Sequence, residues 1–365
     1  MLKGCGLSLL ILAALVGGYM FGFDQVFPRP EGLIFGGIAG LITFFCIGAL
    51  SNAWQAHSDW SLISKAQFGL QLNGGSKVAV AGRLKAISEP ITAPFSGKPC
   101  LICEYDLARG RGPTTSKHEN TGSDYAGFLM TPCKIETPFG EVRLLGYPML
   151  EEISDNVLIT SDAVQNARTF LATTQFEDRS GMKIVSVLSV FTELWSDDDG
   201  SVTKNMRLTT IPDDKLIPAD AESRLMSQAE LETSDHNFDD DEDEDDYEQL
   251  TGGERLGHEL PRLVEKLVEP GTQVVVFGIY DEARRGLMPP KGSMYANRLR
   301  PGTPEKVEGQ LRTKMLANAI GALIVLALLH GGVYLAMQNT KQKADAEPAA
   351  KLEGNSYPTS EICSL

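Results

Sequence analysis

The sequence predicts an α+β protein in which a mainly antiparallel β domain, a twisted sheet or a barrel-like fold, is joined to three transmembrane helices. Three apolar spans, roughly residues 7–23, 33–53 and 316–337, carry no Lys, Arg, Asp or Glu. Each approaches the ~20 residues that a helix needs to cross ~30 Å of hydrocarbon. The block of about 260 residues between the second and third spans contains short β-branched runs that end at glycines, a pattern typical of strands and turns.

The first two spans lie in a predicted N-terminal segment, residues 1–55, that consists of two transmembrane helices and a short connecting loop. The first span resembles the apolar part of a signal peptide, but it lacks a clear small-x-small cleavage site. Two crossings return the chain to the side of its N-terminus, so the block lies there and the C-terminal tail lies opposite. Lys3, Arg312 and Lys314 contribute to a modest excess of basic residues on the block's side, so the positive-inside rule predicts a cytoplasmic block.

The first part of the β domain is predicted at residues 56–231. Its strand candidates are rich in β-branched or aromatic residues and have turn signals beside them. They lie at residues 77–82, 100–107, 139–146, 170–194 and 202–211. The turn from Ser196 to Gly200, with three Asp residues and a glycine, is expected to join the last two strands as a hairpin. Residues 219–231 suit a helix.

An acidic linker is predicted at residues 232–252. Between Asp235 and Glu248 there are ten acidic residues and no Lys or Arg, in a chain whose net charge is −15. Like charges repel, and nothing apolar compensates the entropy of ordering, so we expect a solvated and disordered segment. The acidic balance also argues against a nucleic-acid partner, because phosphates require Lys and Arg.

The final part of the β domain is predicted at residues 253–311. Residues 261–268 are typical of a short amphipathic helix, with a proline in the first turn and Pro-Gly after the last. Residues 273–278 then echo residues 77–82, because both are β-branched runs that end in a glycine. This weak internal repeat predicts two related strands in one twisted β structure. The remaining predicted segments are the third transmembrane helix, residues 312–338, and a polar C-terminal tail, residues 339–365.

Two stretches of the block form an ordered motif. The first comprises Val78-Ala-Val-Ala-Gly-Arg-Leu84, Glu89-Pro90, Ala93-Pro-Phe-Ser-Gly97 and Pro99-Cys-Leu-Ile-Cys-Glu-Tyr105; the second comprises Gly271-Thr-Gln-Val-Val-Val-Phe-Gly278, Gly286-Leu-Met-Pro-Pro290 and Tyr295. Together they resemble the GIDE domain, also called the beside-a-membrane domain. That family includes a mitochondrial membrane-anchored ubiquitin ligase and prokaryotic relatives, in which membrane spans also flank the domain. The resemblance covers roughly residues 74–107 and 270–295.

The chain departs from the ligases of this family after the third span. In those ligases a RING domain follows, and a RING holds two zinc ions through Cys and His ligands in closed tetrahedral sites. After Met337 this chain has only Cys363 and no histidine. The resemblance therefore implies a prokaryotic-type relative without a RING, and ligase activity is not carried over to it.

The sharpest local motif is Cys100-x-x-Cys103. With His118 and Cys133 it offers four potential zinc ligands. An offset of three along a strand would point the two thiols to opposite faces, and the Leu-Ile pair between them is unlike the polar or glycine-rich turn that zinc favours. Core packing is therefore the favoured interpretation, zinc binding and redox chemistry are the alternatives, and no metal is assigned.

Three further motifs favour ordinary structural roles. Asp197, Asp198 and Asp199 lack the ligand spacing of a calcium loop, and Arg109-Gly-Arg-Gly-Pro113 lacks the Lys-Thr ending of a phosphate-binding loop. His330 lies inside the third span, where ionisable residues are functional by default, although a neutral histidine beside two glycines also suits helix packing. No Ser-His-Asp or Cys-His order is recognisable, so no catalytic residue is assigned.

The sequence thus predicts a multi-pass membrane protein whose GIDE-like domain is a non-catalytic protein-interaction or scaffold module at the membrane surface. One alternative is a component of a RING-type ubiquitin-transferase system that uses a RING in trans. Another is a small channel or transporter subunit, which the lack of charged residues at membrane depth disfavours. The expected partners are the lipid bilayer and an unidentified protein, with homo-oligomerisation left open; no cofactor and no nucleic acid are expected.

Overall fold

The computed structural model describes residues 2–25, 27, 30–67, 72–109, 123–180, 200–218, 221, 261–289 and 297–353. The chain divides into two compact units. We call residues 1–60 with 310–365 the helical unit and residues 61–309 the β unit.

The described elements follow one another along the chain in this order: α1 (Leu2–Asp24), α2 (Glu31–Gln67), β1 (Lys77–Ala86), β2 (Ile91–Thr92), β3 (Pro99–Cys100), β4 (Ile102–Ala108), β5 (Tyr125–Met130), β6 (Cys133–Thr137), β7 (Gly140–Leu144), β8 (Met149–Leu150), β9 (Asn156–Leu158), α3 (Ser161–Thr173), β10 (Glu177–Asp178), β11 (Val202–Arg207), α4 (Asp213–Leu216), β12 (Arg262–Val268), β13 (Gln273–Asp281), β14 (Gly286–Met288), β15 (Arg298–Pro301) and α5 (Pro304–Glu353).

The long helices coincide with the apolar spans of the sequence. By length and composition, α2 and α5 are able to cross a membrane, over Glu31–Lys65 and Pro304–Asn339. The apolar part of α1, Ser8–Asp24, is shorter. Of the three predicted spans, two therefore correspond to helices that are long and apolar enough to cross a membrane, and the first corresponds to a shorter apolar helix.

Five strands of the β unit close into a barrel, in the order β1-β6-β7-β14-β13 and back to β1. All the pairings in this ring are antiparallel except that of β14 with β7, which is parallel. Alternate side chains point inward, so that Leu84, Ile135, Leu144, Val276 and Leu287 are fully or almost fully buried. The prediction of a mainly antiparallel, barrel-like α+β domain is thereby confirmed.

The two echoing runs of the sequence are neighbours in the barrel. They pair antiparallel in a register that runs from Lys77↔Ile279 to Arg83↔Gln273. Beyond β1, the first half of β13 pairs with β15 and its last residues pair with β14. Gly278 lies where β13 changes from one of these partners to the other. The predicted relation between the two strands is therefore correct, and it takes the form of direct pairing.

A second sheet has the order β10-β11-β5-β4-β12-β9. Along β5, Phe128 and Met130 join the core that fills the barrel, whereas Tyr125 joins a second core beneath helix α3. Because side chains alternate along a strand, this sheet contributes to both cores. Helix α3 covers one face with Ala163 and Ala167, spaced one helical turn apart.

The prediction of a helix at residues 261–268 is wrong. The segment is strand β12, and each of its residues has a partner on β4, from Arg262↔Ala108 to Val268↔Ile102. Its apolar residues, Leu263, Val264, Leu267 and Val268, fall in adjacent pairs four residues apart, which is the spacing of a helical stripe and not of an alternating strand. Pairing with β4 on one side and β9 on the other satisfies the backbone of the segment and decides the outcome.

The prediction of one long strand over residues 170–194 is also wrong where it can be compared. Residues up to Thr173 belong to α3, and only Glu177–Asp178 form a strand; residues 181–199 lie outside the described residues. The helix begins after Thr160, whose hydroxyl accepts a hydrogen bond from the Ala163 amide at 3.2 Å. This N-cap is a start signal that the β-rich interpretation overlooked.

Candidate functional site

The two cysteines of the CxxC motif both face the core beneath α3. Cys100 ends β3 and Cys103 lies in β4, and both side chains are fully buried in the same cluster. The expectation that they point to opposite faces is wrong because the ladder is interrupted at Leu101, between the two strands. The Cys100 thiol donates to the Ile91 carbonyl at 3.6 Å, and the Cys103 thiol is hydrogen-bonded to Cys100.

Beside these thiols lies a buried carboxylate, that of Glu265 on β12, which is fully buried. Its Oε1 accepts a hydrogen bond from the Phe95 amide at 2.6 Å, and its Oε2 accepts one from the Ser96 amide at 3.2 Å. The Asn166 side chain on α3 donates to the Phe95 carbonyl at 2.9 Å. Glu265 and Asn166 together fix the turn of the β2–β3 hairpin, which has the sequence Ala93-Pro-Phe-Ser-Gly97.

Aromatic side chains complete this region, which we call the Glu265 core: Glu265, the β2–β3 turn, Cys100, Cys103, Tyr105 and Asn166. The Tyr105 hydroxyl donates to Asn205 Oδ1 at 2.7 Å. Its ring occupies the space that a Cβ would need at Gly127, on the neighbouring strand β5, and packs edge-to-face on Phe95 and Phe170. Close contact of this kind fixes the positions of the polar groups.

The electrostatics of the buried thiols oppose reactivity. The hydrogen bond to Cys100, followed by burial, raises the pKa of Cys103 well above its ordinary value. Burial alone raises the pKa of the Cys133 thiol to about 12. A thiol is a nucleophile or a metal ligand only as the thiolate. The Glu265 carboxylate accepts hydrogen bonds from backbone amides of the β2–β3 turn. The Glu265 core therefore has a structural role, which is to hold that turn in place.

The four candidate zinc ligands are not assembled into a site by the described residues. Cys133 on β6 lies in the core that fills the barrel, whereas Cys100 and Cys103 lie in the core beneath α3. His118 lies outside the described residues. Within the part of the chain that the structure describes, no three His, Cys, Asp or Glu side chains are placed to hold a metal ion.

The helical unit contains a chain of polar side chains that links three helices. His330 on α5 uses both ring nitrogens: Nδ1 lies 2.8 Å from the Leu326 carbonyl, and Nε2 lies 2.8 Å from the Tyr19 hydroxyl on α1. The Thr43 hydroxyl on α2 donates to the same Tyr19 oxygen at 3.1 Å. The network fits a neutral histidine that donates from Nδ1 and accepts at Nε2, so every group in it has a partner.

Helix α2 packs closely on α1 through glycines spaced four residues apart. A Cβ at Gly36 would lie 2.6 Å from Met20 Cα, and one at Gly40 would lie 2.6 Å from Val16 Cα. A Cβ at Gly32 would lie 2.8 Å from the Phe23 carbonyl oxygen. This contact was not predicted from the sequence, although the repeated G-x-x-x-G spacing in an apolar helix is a recognised signal for it.

The other motifs fall partly outside the described residues. Arg109 is described: its amide donates to Asp124 Oδ2 at 2.8 Å and its guanidinium lies 3.6 Å from Oδ1, so it is paired with a carboxylate. Asp197–Asp199, the acidic run from Asp235 to Glu248 and the predicted helix at residues 219–231, apart from Ala221, lie outside the described residues.

Comparisons with protein-family models, with curated proteins and with solved structures found no match to this chain.

Proposed function

We propose that the chain is an integral membrane protein with three spans, and that its β unit is a non-catalytic protein-interaction or scaffold module at the membrane surface. One observation carries the membrane assignment. Only 6% of the apolar window of α5 and 28% of that of α2 is buried against other parts of the chain. Apolar helix surface of this length requires an apolar solvent, and the hydrocarbon of a bilayer supplies it.

The contacts of α1 support its inclusion as the third span. It lies against the Gly36 and Gly40 face of α2, and Tyr19 hydrogen-bonds to His330 on α5. Polar groups in hydrocarbon need partners within the protein, and Tyr19, Thr43 and His330 provide them for one another. If α1 also lies in the bilayer, the glycine face of α2 packs against α1 and His330 on α5 has its hydrogen-bond partner, Tyr19, within the membrane.

The edge of the six-stranded sheet supports an interaction role for the β unit. Strand β9 is the last strand of that sheet in the described part of the chain. Val157 on β9 is 48% exposed and Ile159, which follows it, is 60% exposed. An edge strand presents unpaired backbone groups to another chain, and recognition by strand addition combines those groups with exposed side chains. The expected occupant is an extended segment of a protein partner.

The resemblance to GIDE domains supports the same role, because that domain lies between membrane spans. It also leaves the ubiquitin-transfer alternative, which zinc analysis separates from a scaffold role. The protein purified from native membranes should contain no stoichiometric zinc and should not promote ubiquitin transfer when ubiquitin, activating and conjugating enzymes are supplied. Zinc-dependent transfer by the complex would favour a RING supplied in trans.

Membrane integration and topology are tested by extraction and labelling. The protein should stay in the membrane pellet after alkaline carbonate treatment, and release into the supernatant would contradict the spans.

Cys100, Cys103 and Cys133 are buried and would resist labelling on either side, so the exposed Lys98→Cys variant is the reporter. An impermeant maleimide should label Cys363 but not that variant's new thiol in intact cells, and both after permeabilisation. The reverse pattern would place the β unit outside.

The interaction surface is tested by photo-crosslinking in native membranes. A photoreactive amino acid at position 159 should yield a discrete crosslinked species, and the same group at position 98, on the β2–β3 hairpin, serves as the control. Val157→Asp should abolish the crosslink from position 159 without lowering protein abundance. No crosslink at position 159, or equal crosslinking at both positions, would contradict an interface at β9.

A further inference from the structure

A cleft of about 690 Å³ lies on the outside of the barrel, where strands β6 and β7 meet the turn between β13 and β14. Its lining residues are Lys134, Glu141, Arg143, Ala283, Arg284 and Arg285. They face outward because Lys134 and Arg143 alternate with buried core residues along their strands. The volume is typical of a small-molecule site.

The cleft concentrates positive charge in an acidic protein. Four of its lining side chains are cationic and one, Glu141, is anionic, which leaves an excess of three positive charges. Over the whole chain the net charge is −15. A concave surface lined by one sign of charge focuses its field and attracts ligands of the opposite sign.

The strand register adds to this concentration. Lys134 on β6 lies directly opposite Lys85 on β1 and directly opposite Arg143 on β7, so the three cations form a row across the strands. Like charges in direct cross-strand positions are destabilising. Two carboxylates offset part of that cost: Glu136 lies 2.6 Å from Lys85, and Glu141 lies 2.7 Å from Lys134.

The backbone of the β13–β14 turn holds two further arginines beside this row. Asp281 Oδ1 accepts the Arg284 amide at 3.1 Å, and the Arg285 carbonyl accepts the Arg143 amide at 3.0 Å. Arg285 has a φ of 49°, in the left-handed region that disfavours residues with a Cβ. Strained positions of this kind occur preferentially where a side chain has a function.

We propose that this cleft binds the phosphate of a phosphomonoester or pyrophosphate group. The planar guanidinium groups of Arg143, Arg284 and Arg285 match the geometry of phosphate oxygens and form charge-assisted, often bidentate hydrogen bonds with them. The Lys134 ammonium adds a point charge at the same wall. The phosphate belongs either to a soluble metabolite or to a lipid headgroup such as phosphatidic acid. The inference does not rest on the interaction role of strand β9.

The first test is calorimetric titration of the full-length, detergent-solubilised protein with pyrophosphate. Arg285→Gly should weaken binding about tenfold or more, the loss expected for one charge-assisted contact. Its melting temperature without ligand should be equal or higher, because glycine relieves the left-handed strain. Arg143→Gln should also weaken binding. Glu141→Gln should strengthen it, because the change removes the carboxylate that pairs with Lys134.

Lys98→Gln provides the control, since it removes one exposed positive charge from the β2–β3 hairpin, outside the cleft. Its affinity for pyrophosphate should equal that of the unmodified protein. Equal losses in Lys98→Gln and Arg285→Gly would show general charge attraction and overturn the site.

The source of the phosphate is distinguished with mixed micelles. Tighter binding to micelles that contain phosphatidic acid than to pyrophosphate would identify a lipid headgroup, provided that phosphatidylserine, an anionic phosphodiester, does not replace it. Preference for pyrophosphate would identify a soluble ligand. Binding to neither pyrophosphate nor phosphatidic acid, or binding that Arg285→Gly leaves unchanged, would overturn the proposal.

Discussion

At the scale of single residues, two glycines decide how closely the strands of the barrel approach. A Cβ at Gly82 would collide with the Glu136 carbonyl oxygen on β6, and one at Gly278 would collide with the Asn297 side-chain oxygen. Asn297 is fully buried, and its Nδ2 donates to the Leu145 and Leu287 carbonyls at 3.0 Å each. Neither obstacle is able to move freely, so both positions require glycine for space.

We expect Gly82→Ala and Gly278→Ala to lower the free energy of unfolding by about 1–3 kcal/mol, as overpacked sites do. The effect should be larger at Gly82, because the obstacle there is backbone. Equilibrium unfolding of the full-length protein measures both. Gly309→Ala, where a Cβ meets nothing within 4 Å, is the control and should be neutral or slightly stabilising. Equal stability of all three variants would show that the strands can separate without cost.

At the scale of elements, polar and small residues position neighbouring segments. Glu265 on β12 holds the β2–β3 turn through two backbone amides. Gly36 and Gly40 bring α2 against α1, and Tyr19 connects α1 to α5 through His330. In each case a contact with another segment of the chain sets the position of an element. The local sequence of that element does not determine its position.

Glu265→Gln tests the turn. Glutamine keeps one acceptor oxygen but loses the charge, so the Phe95 or Ser96 amide remains without its partner. Hydrogen bonds to charged groups contribute about 1.5–3 kcal/mol, and the unfolding free energy should fall by about that amount. Amide exchange at both residues should accelerate. Glu269→Gln, at an exposed position just after β12, should change neither quantity, and unaltered exchange in Glu265→Gln would contradict the role of the carboxylate.

Gly36→Val tests the contact between α1 and α2. The new side chain would lie against Met20 Cα and the Tyr19 carbonyl, so we expect a loss of about 1–3 kcal/mol and a lower melting temperature in detergent. Gly37→Val is the matched control, because a Cβ there meets only the Met20 side chain at 3.9 Å. If both variants melt at the same temperature, the close approach of the two helices is not a stabilising contact.

At the scale of the whole molecule, the β unit buries groups that resist ionisation. Burial raises the pKa of Tyr147 well above its ordinary value, and the pKa of Tyr105 is raised for the same reason. The Cys133 thiol has its pKa raised to about 12 from an ordinary value of 9.0. The folded protein therefore holds these protons more tightly than the unfolded chain, and alkaline pH favours unfolding.

The expected pH dependence follows from this difference. Below about pH 9 both states keep the Cys133 proton, so its contribution to stability is complete. As the pH rises from about 9 towards 12, the unfolded chain loses the proton first, and the unfolding free energy falls by about 1.4 kcal/mol per pH unit for this group. Unfolding titrations between about pH 8 and pH 11 should show the decline, with a shallower slope in Cys133→Ala. An identical slope in that variant would remove Cys133 as a cause.

The sequence by itself determined the apolar helices, the strands β1, β4, β7, β11 and β13, and the relation between the two echoing runs. Those features depend on local composition and short periodicity, which do not change with the tertiary surroundings of the segment.

Only the tertiary structure decided the rest. Residues 261–268 carry the apolar spacing of a helix, and pairing with β4 and β9 made the segment a strand. The two thiols of Cys100 and Cys103 face one core because the strand is interrupted between them, and the partner of Glu265 lies about 170 residues away in the chain. Arg143 and Arg285 form one cleft only after the barrel closes. Such contacts join residues that are remote in sequence, and local pattern carries no information about which distant segments will meet.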